Sequence, residues 1–250
     1  MKVAQDFMVE VPALKIDEMA TRARKILRDD VYREVYVHDA KGHLVGYLDI
    51  TGVLNVTSTK SNITIEGFTK ETLSVKTNQT LEDVMRTIRS NATDSVPVVG
   101  NQNMLLGGVL LSDLFPVFIT RHRLQGRVGD NMSVKVVKCS PEDPVQKVYN
   151  LIVDSGFTAF PVEKKRKLVG IISRRDLLKD GRWRTSIEGG TAGTPVESVM
   201  TTPVFSTVPE EDLQKAAETL VKHDISRLPV LEDGVLVGII DRHDVLKSLK

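Results

Sequence analysis

Two aspartates occupy the same place in two similar strings of residues. Residues 170–178 read GIISRRDLL and residues 238–246 read GIIDRHDVL, so Asp176 and Asp244 each follow a glycine by six residues. A carboxylate in the first turn of a helix can accept hydrogen bonds from both hydroxyls of a ribose, and the N–H groups there favour a phosphate. The spacing Ser173-x-x-Asp176 is also that of a capping box, which contributes about 1 kcal/mol without any ligand. Both interpretations can hold together, because a capping pair can face a cleft.

These strings belong to a repeat that fills most of the chain. Residues 161–179 and 229–247 match at 11 of 19 positions without a gap, and weaker copies begin with GYLDITGVL and GVLLSDLF. The glycines of the four copies are spaced 62, 62 and 68 residues apart, and they are Gly46, Gly108, Gly170 and Gly238. Short apolar runs alternate with helix-period apolar stripes in each copy, which predicts the order β-α-β-β-α.

The length of one copy indicates how the copies must associate. A unit of about 60 residues buries too little apolar surface to be stable alone. We therefore expect the first copy to pair with the second and the third with the fourth, in an α/β (α+β) fold of two pseudo-two-fold modules. The predicted copies span residues 1–60, 61–120, 121–182 and 195–250, in modules 1–120 and 121–250. The Gly- and Thr-rich segment 180–195, which contains Trp183, is predicted to be a linker.

The four copies differ where the carboxylate is expected. The third has both Ser173 and Asp176, whereas the fourth keeps Asp244 but replaces the hydroxyl by Asp241, whose charge repels a phosphate. In the second copy Asp113 lies one residue closer to its glycine, so the register of the alignment is open there. The first copy has Gly52 at this position, which argues against a ribose site.

The repeat resembles the cystathionine-β-synthase (CBS) domain family, in which four tandem motifs form two Bateman modules. The resemblance covers residues 3–249 and is strongest in VMTTPVFSTVPEEDLQKAAETLVKHDISRLPVLEDGVLVGIIDRHDVLKSL, and it is weaker in the first two copies. The layout is similar to that of stand-alone archaeal-type proteins with four CBS motifs and of the gamma subunit of AMP-activated protein kinase.

The resemblance implies an adenosine-type ligand in clefts between paired motifs. The residues that it implies for the ribose are Ser173, Asp176, Asp244 and Asp113. Those implied for the adenine pocket are Val137, Phe157, Thr158, Ile171, Phe205, Ile225, Ser226 and Ile239. Those implied for the phosphate are Arg227, Arg175 and His243. The plain alternative is that the aliphatic residues are ordinary core and that the cations are solvated.

Within a pair the family crosses over, so that the carboxylate of one motif works with the base pocket of the other. Asp244 is therefore expected to face Val137, Phe157 and Thr158. By the same rule, Asp176 is expected to face Phe205, Ile225 and Ser226.

Several classes of function are disfavoured by the sequence. It contains no Gly-x-Ser-x-Gly, His-Glu-x-x-His, Cys-x-x-Cys or Walker A string, and Cys139 is the single cysteine. We therefore expect no enzyme activity, no metal and no prosthetic group. A net charge of +1 disfavours nucleic acid as a partner. The sequence has neither a signal peptide nor an apolar run of the ~18–20 residues that a membrane span needs, so we expect a cytoplasmic protein.

The expected function is that of a regulatory protein that senses AMP, ADP or ATP. The resemblance also implies a homodimer, and the regulated protein partner is unknown. Two alternatives stay open: a sensor of an S-adenosylmethionine-type ligand, and a ligand-free scaffold for protein interactions.

Overall fold

The computed structural model describes residues 2–29, 31–56, 63–181 and 193–248. Most of the predicted linker 180–195, including Trp183, lies outside the described residues. The chain divides into two compact units, Met1–Phe115 (unit 1) and Pro116–Lys250 (unit 2). Among the described residues, no helix is long and apolar enough to cross a membrane.

Unit 1 contains the predicted order of elements twice. Its first copy consists of β1 (Ala13–Lys15), α1 (Ala20–Leu27), β2 (Glu34–His38), β3 (Leu44–Asp49) and α2 (Ile50–Asn55). Its second copy consists of β4 (Val75–Lys76), α3 (Leu81–Asn91), β5 (Ser95–Val99), β6 (Leu105–Leu110) and α4 (Leu111–Arg121), of which α4 runs across the unit boundary. In each copy the first strand pairs parallel with the second, and the second pairs antiparallel with the third.

Unit 2 contains the third and fourth copies. After the short helix α5 (Val128–Asn131), the third copy consists of α6 (Val145–Ser155), β7 (Ala159–Lys164), β8 (Lys167–Ser173) and α7 (Arg174–Asp180). The fourth copy consists of α8 (Leu213–Lys222), β9 (Arg227–Glu232), β10 (Val235–Asp241) and α9 (Arg242–Ser248). Both sheets of unit 2 are antiparallel hairpins of two strands. The fold-class prediction is confirmed, with one correction to these two copies.

The predicted first strands of the third and fourth copies are each reduced to a single bridge. Cys139 bridges Val162, and Thr207 bridges Val230, both in parallel orientation. The neighbouring strand residue contributes to the shortening. In the first copy, the N–H of Tyr36 donates to the carbonyl of Pro12 at 3.0 Å and extends the ladder. Pro97, Pro161 and Pro229 occupy the position of Tyr36 in the other three copies and have no N–H to donate. The first strand accordingly has three residues in the first copy, two in the second and one bridged residue in the third and fourth.

Helices with an apolar stripe form the core of each copy. The helical period predicts an apolar stripe in α8, of which Leu213, Ala216, Ala217 and Leu220 are buried and Val221 is half-buried. Burial of one large aliphatic side chain stabilises the fold by roughly 1.5–3 kcal/mol, so this stripe fixes the helix against its hairpin. The stripe predicted for α1 is narrower in the structure: Ala20, Ala23 and Leu27 are buried, Ile26 is half-buried and Met19 is 41% exposed.

Each unit contains two equivalent bridges that interlock its two copies. In unit 2 the backbones of Ser133 and Ile239 exchange hydrogen bonds of 2.8 and 3.0 Å. Thr201 and Ile171 do the same at 2.8 and 3.1 Å. The segment that precedes one copy therefore lies against the last strand of the other copy, and the reverse is also true. In unit 1 the equivalent bridges join Val9 to Gly108 and Lys70 to Tyr47.

Candidate functional site

The carboxylate of Asp176 forms the capping box that its spacing predicts. Its Oδ2 accepts hydrogen bonds from the backbone N–H of Ser173 at 2.7 Å and from Ser173 Oγ at 2.6 Å. In return, the backbone N–H of Asp176 donates to Ser173 Oγ at 3.4 Å. The capping interpretation is confirmed, and a role toward a ligand stays a prediction.

Asp244 is held by the same reciprocal pattern with a carboxylate in place of the hydroxyl. The backbone N–H of Asp244 donates to Asp241 Oδ1 at 2.9 Å, and that of Asp241 donates to Asp244 Oδ2 at 3.1 Å. Lys247, one helical turn later, donates from Nζ to Asp244 Oδ1 at 2.9 Å. Asp244 is thus fixed at the start of α9, with two charged neighbours.

Burial raises the pKa of both carboxyl groups above the ordinary value for aspartate. Desolvation is the main cause for Asp176, and its hydrogen bonds from Ser173 oppose it. For Asp244, desolvation comes first and repulsion from the Asp241 carboxylate adds to it. Carboxyl groups kept partly out of water, at the ends of strands, are common at binding sites.

Asp244 lies in a cleft of about 250 Å³ that both copies of unit 2 build. The bridge between Ser133 and Ile239 brings the segment before the third copy alongside β10 of the fourth. Six of the predicted site residues line this cleft, namely Val137, Phe157, Thr158, Arg227, Ile239 and Asp244. The crossed arrangement thus places the three predicted base-pocket residues of the third copy in one cleft with the carboxylate of the fourth.

Other residues of the cleft were not among the predicted site residues. They are Ser133, Lys135, Val136, Gly156, Ala159, Pro161, Asp241 and Lys247. Lys247 could have been found from its i+3 spacing to Asp244 on a helix. Lys135 could not have been found in this way, because it reaches the cleft only where the segment before the third copy lies against the fourth copy. Asp241 was recognised in the sequence, but as a change of the capping residue.

The other predicted base-pocket residues occupy the positions that the repeat relates to residues of this cleft. Ile171 pairs with Thr201 at the start of the segment that carries Phe205. From the bridges of Cys139 and Thr207, Phe205 is the counterpart of Val137. From the strand starts, Ile225 and Ser226 are the counterparts of Phe157 and Thr158, so each copy has one aromatic and one aliphatic residue at the positions of Val137 and Phe157.

Phe205 already has an aromatic neighbour within its own copy. Its ring stacks on His223 with the centroids 3.8 Å apart and the planes 23° from parallel. Phe205 is nevertheless 44% exposed, and Phe157 is 39% exposed. Large apolar side chains left this accessible beside polar groups are typical of a ligand surface.

The three predicted phosphate ligands have different placements. Arg227 begins β9, is half-buried, and donates from Nε to Ser226 Oγ at 3.3 Å. Arg175 and His243 are half-buried in the first turns of α7 and α9, directly before Asp176 and Asp244. Within the described part of the chain, His243 is not among the residues that line the 250 Å³ cleft.

The strand register corrects the alignment of the second copy. Gly108 pairs with Pro97 as Ile171 pairs with Pro161, so Gly107, and not Gly108, is the counterpart of Gly170. The carbonyl oxygen of Val9 lies 2.6 Å from where a Cβ on residue 107 would be, which explains the glycine. In this register Asp113 falls six residues after its glycine.

The corrected register does not give Asp113 the surroundings of Asp176. Leu110 occupies the position of Ser173 and has no polar group for a cap. Asp113 is exposed, and its Oδ1 accepts a hydrogen bond from Ser112 Oγ at 3.3 Å. Its assignment to a ribose stays a prediction.

The first copy fills the same place with its own side chains. Asp49 occupies the position of Ser173 and caps α2 by accepting from the N–H of Gly52 at 2.8 Å. Lys70, from the crossing segment, donates to Asp49 Oδ1 at 3.1 Å. Residue 52 itself has no carboxylate, and the Leu48 side chain lies against it.

Two observations concern metal binding and thiol chemistry. Among the described residues, no three His, Cys, Asp or Glu side chains cluster in a way that could hold a metal ion. Burial raises the pKa of the Cys139 thiol to about 12, so it is not a nucleophile at neutral pH.

The family is decided by a comparison of the sequence with the CBS domain profile. The profile matches residues 65–119, 126–181 and 196–250. This chain belongs to the CBS domain family. The matched regions correspond to the second, third and fourth copies, and the first copy has the same order of elements in the structure.

Several known proteins resemble this CBS protein over part of their length. The CBS domain-containing protein YhcV of Bacillus subtilis is 32% identical over 118 residues, 47% of this chain and 81% of YhcV. Protein MJ1225 of Methanocaldococcus jannaschii is 25% identical over 183 residues, 70% of this chain and 65% of MJ1225. Inosine-5′-monophosphate dehydrogenase of Korarchaeum cryptofilum is 34% identical over 111 residues, 44% of this chain and 21% of that enzyme.

A solved structure resembles the whole fold. The crystal structure of MJ1225 aligns with a TM-score of 0.85 over 100% of both chains, at 20% sequence identity. At this level of identity the likeness concerns the fold. The sequence alignments themselves span only 65% of MJ1225 and 43% of another M. jannaschii relative, MJ0188.

Proposed function

We propose that this CBS protein is a non-catalytic regulatory protein that binds adenosine nucleotides, AMP, ADP or ATP, in the clefts of unit 2. One observation carries the proposal: a single cleft contains Asp244 from one copy and Val137, Phe157 and Thr158 from the other. Two copies that lie far apart in the sequence contribute complementary chemistry to the same place.

Each part of an adenosine nucleotide has a suitable neighbour in this cleft. Phe157 and Val137 offer apolar surface to a base, and the Thr158 backbone and hydroxyl offer hydrogen bonds. The Asp244 carboxylate can accept hydrogen bonds from ribose hydroxyls. Arg227 supplies a guanidinium, which binds phosphate oxygens in a bidentate manner.

The composite cleft also suggests how binding becomes regulation. A ligand that touches both copies stabilises the arrangement of the copies that fits it best. The shift can be no larger than the difference in ligand affinity between the two arrangements. In this proposal the protein acts as a homodimer on a protein partner that is still to be identified.

Two features support the absence of catalysis in the proposal. The match to inosine-5′-monophosphate dehydrogenase covers 21% of that enzyme, so its activity does not transfer to this chain. The one thiol of the sequence is buried and protonated.

An S-adenosylmethionine-type ligand is the second candidate. Its adenosine half would use the same base and ribose contacts, and its cationic tail would suit the additional carboxylate of Asp241 in the cleft. A ligand-free scaffold is the third, and it predicts no binding to any of these molecules.

Calorimetric titration of the full chain with AMP, ADP, ATP and S-adenosylmethionine tests the proposal. We expect AMP, ADP or ATP to bind with one or two sites per chain. Asp244→Ala and Asp176→Ala should each weaken binding at one cleft by on the order of 100-fold, because each removes two hydrogen bonds to a charged acceptor. Asp154→Ala, at an exposed position of α6, is the matched control and should bind like the parent.

The alternatives give different results in the same experiment. A binding signal with S-adenosylmethionine alone would mean that the ligand is of the S-adenosylmethionine type and not a nucleotide. No heat with any of the four on folded protein would favour the scaffold. Parental affinity in both aspartate variants would show that the ribose assignment is wrong.

A further inference from the structure

The third and fourth copies differ by a matched pair of residues at the mouth of the cleft. In the third copy Ala159 and Ser173 are direct partners across the antiparallel hairpin. In the fourth copy the same two positions hold Arg227 and Asp241, again direct partners. A neutral pair has thus been exchanged for a pair of opposite charges.

The opposite charges are close enough to influence one another. Directly opposed residues of antiparallel strands have Cβ atoms about 4.5–5.5 Å apart, with both side chains on the same face. Arg227 and Asp241 both line the 250 Å³ cleft. The positive potential that Arg227 offers to an anion is therefore reduced by the carboxylate beside it.

Asp241 cannot turn away from the cleft without a cost. Its Oδ1 accepts the backbone N–H of Asp244 at 2.9 Å, which fixes the carboxylate as the cap of α9. Loss of such a cap costs about 1 kcal/mol. The side chain of Asp241 is thus held in place at this cleft.

The other charges of the cleft do not remove this effect. Lys247 donates to Asp244 Oδ1 at 2.9 Å, so the ribose carboxylate already engages that ammonium. Lys135 is an exposed cation on the crossing segment. Among the described residues that line the cleft, three cations face two carboxylates, whereas the third copy has an uncharged hydroxyl at the place of Asp241.

We propose that Asp241 is a specificity-determining residue that disfavours 5′-phosphorylated adenosines in the Asp244 cleft, because it offsets the charge of Arg227. Asp241 therefore lowers the preference of the Asp244 cleft for a phosphorylated over an unphosphorylated adenosine, a preference for which Arg227 is responsible. This inference rests on the proposed function, since it assumes that adenosine binds on Asp244.

The test compares adenosine with AMP in variants that exchange the two charged residues for those of the third copy. The full chain carries Asp176→Ala throughout, so that titration reports the Asp244 cleft. Asp241→Ser should raise the ratio of AMP to adenosine affinity by about tenfold, since a unit charge about 6 Å away in a half-exposed site has an effect of this size. Adenosine affinity itself should stay within about twofold.

Arg227→Ala and the double variant complete the comparison. Arg227→Ala should lower the ratio of AMP to adenosine affinity. The double variant, with Arg227→Ala and Asp241→Ser, should have a ratio within about threefold of the parent, because the two charge effects oppose each other. Asp241→Asn removes the charge at nearly constant shape and should behave like Asp241→Ser. All effects should shrink in high salt, which screens the charges.

The outcomes separate this inference from the proposed function. If adenosine and AMP bind and Asp241→Ser changes both affinities by the same factor, or lowers the ratio, the inference is overturned and the proposed function stands. If neither ligand binds any of the proteins, both are overturned. The reverse exchange, Ser173→Asp in an Asp244→Ala chain, should lower the AMP to adenosine ratio of the other cleft.

Discussion

Units 1 and 2 use the same architecture but fill the equivalent interior positions differently. The first residue of each hairpin lies opposite the residue that precedes the last helix. These pairs are Glu34 with Asp49, Ser95 with Leu110, Ala159 with Ser173, and Arg227 with Asp241. In unit 2, Arg227 and Asp241 line a cleft. In unit 1, Glu34 and Ser95 are buried, with 4% and 5% exposure.

The buried polar groups of unit 1 bind each other. Glu34 Oε2 accepts from Ser95 Oγ at 2.8 Å, and its Oε1 accepts from the N–H of Asp94 at 3.1 Å. The Tyr36 hydroxyl is 2.7 Å from Ser95 Oγ. This network joins the first copy to the second, so polar groups at the interface stabilise the module.

The starts of the last helices show a further difference. In unit 1 the first copy has a carboxylate only at the capping position, Asp49, which binds the ammonium of Lys70. In unit 2 Asp176 and Asp244 lie in the first turn of the helix, and Asp244 lines the cleft although it also binds Lys247. The proposed function thus makes one repeat a structural module where a buried network joins its copies and a binding module where its polar groups line a cleft. We therefore expect ligand binding to reside in unit 2.

Among the variants that test this comparison, Ser95→Ala is expected to lower the stability of the protein most. The substitution removes the hydroxyl between Glu34 and Tyr36 and leaves two buried polar groups without that partner. The free energy of unfolding should fall by about 1–3 kcal/mol, as measured by urea denaturation. Nucleotide affinity should be unchanged. Ser90→Ala, at an exposed position of α3, should alter the stability by less than about 0.5 kcal/mol, and equal effects of the two variants would contradict the structural role.

A smaller effect is expected from Lys70→Ala. The Asp49 carboxylate is mostly buried, with 9% side-chain exposure, whereas Lys70 is 46% exposed, so solvent screens the pair. We expect a loss of about 1 kcal/mol or less in the free energy of unfolding. Lys25→Ala, an exposed lysine of α1, serves as the control. A change in ligand stoichiometry on Lys70→Ala would break the comparison, because it would mean that unit 1 binds ligand.

The smallest effect is expected from Asp176→Asn, and it depends on pH. Since burial raises the pKa of Asp176 in the folded protein, the protonated carboxyl contributes stability that is fully present below about pH 4, the pKa of an unfolded aspartate. That contribution is lost as the pH rises through the folded pKa. The variant should therefore gain stability relative to the parent between pH 3.5 and pH 7.

Melting temperatures of the parent and the Asp176→Asn variant, measured across this pH range, check the direction of the relative change in stability. If the parent instead gained stability relative to the variant on going to neutral pH, the prediction would be contradicted, because the surroundings would then favour the ionised form of Asp176. Asp154→Asn, which is exposed, should show no such trend.

Features with local causes could be predicted from the sequence. The capping pair Ser173 and Asp176 depends on contacts three residues apart, and the stripe of α8 depends on helical periodicity. The register of the second copy could not be decided in this way. Gly107 and Gly108 are both acceptable in a strand, and only the pairing of Pro97 with Gly108 distinguishes them.

The shortening of the first strands in unit 2 could be predicted from the sequence only in part. The apolar runs at 134–139 and 204–208 predict strands, but a parallel strand needs donors on its neighbour. Pro161 and Pro229 each remove one donor, and Pro97 does the same in the second copy, where a strand of two residues remains. Part of the information was therefore present in the sequence, although it became interpretable only once the pairing was known.

The sequence by itself determined the four repeats and the helix caps, because short-range periodicity and hydrogen bonds within one turn decide these features. The candidate residues for an adenosine ligand were what the resemblance to the CBS family implied. Tertiary structure decided which of these residues meet. Asp244 shares a cleft with Val137 because Ser133 bridges Ile239, more than 100 residues away in the chain. Lys70 reaches Asp49 by the equivalent bridge to Tyr47. Such long-range pairing follows from burying the apolar faces of two copies together, and no local pattern encodes which polar groups are then left facing a cleft.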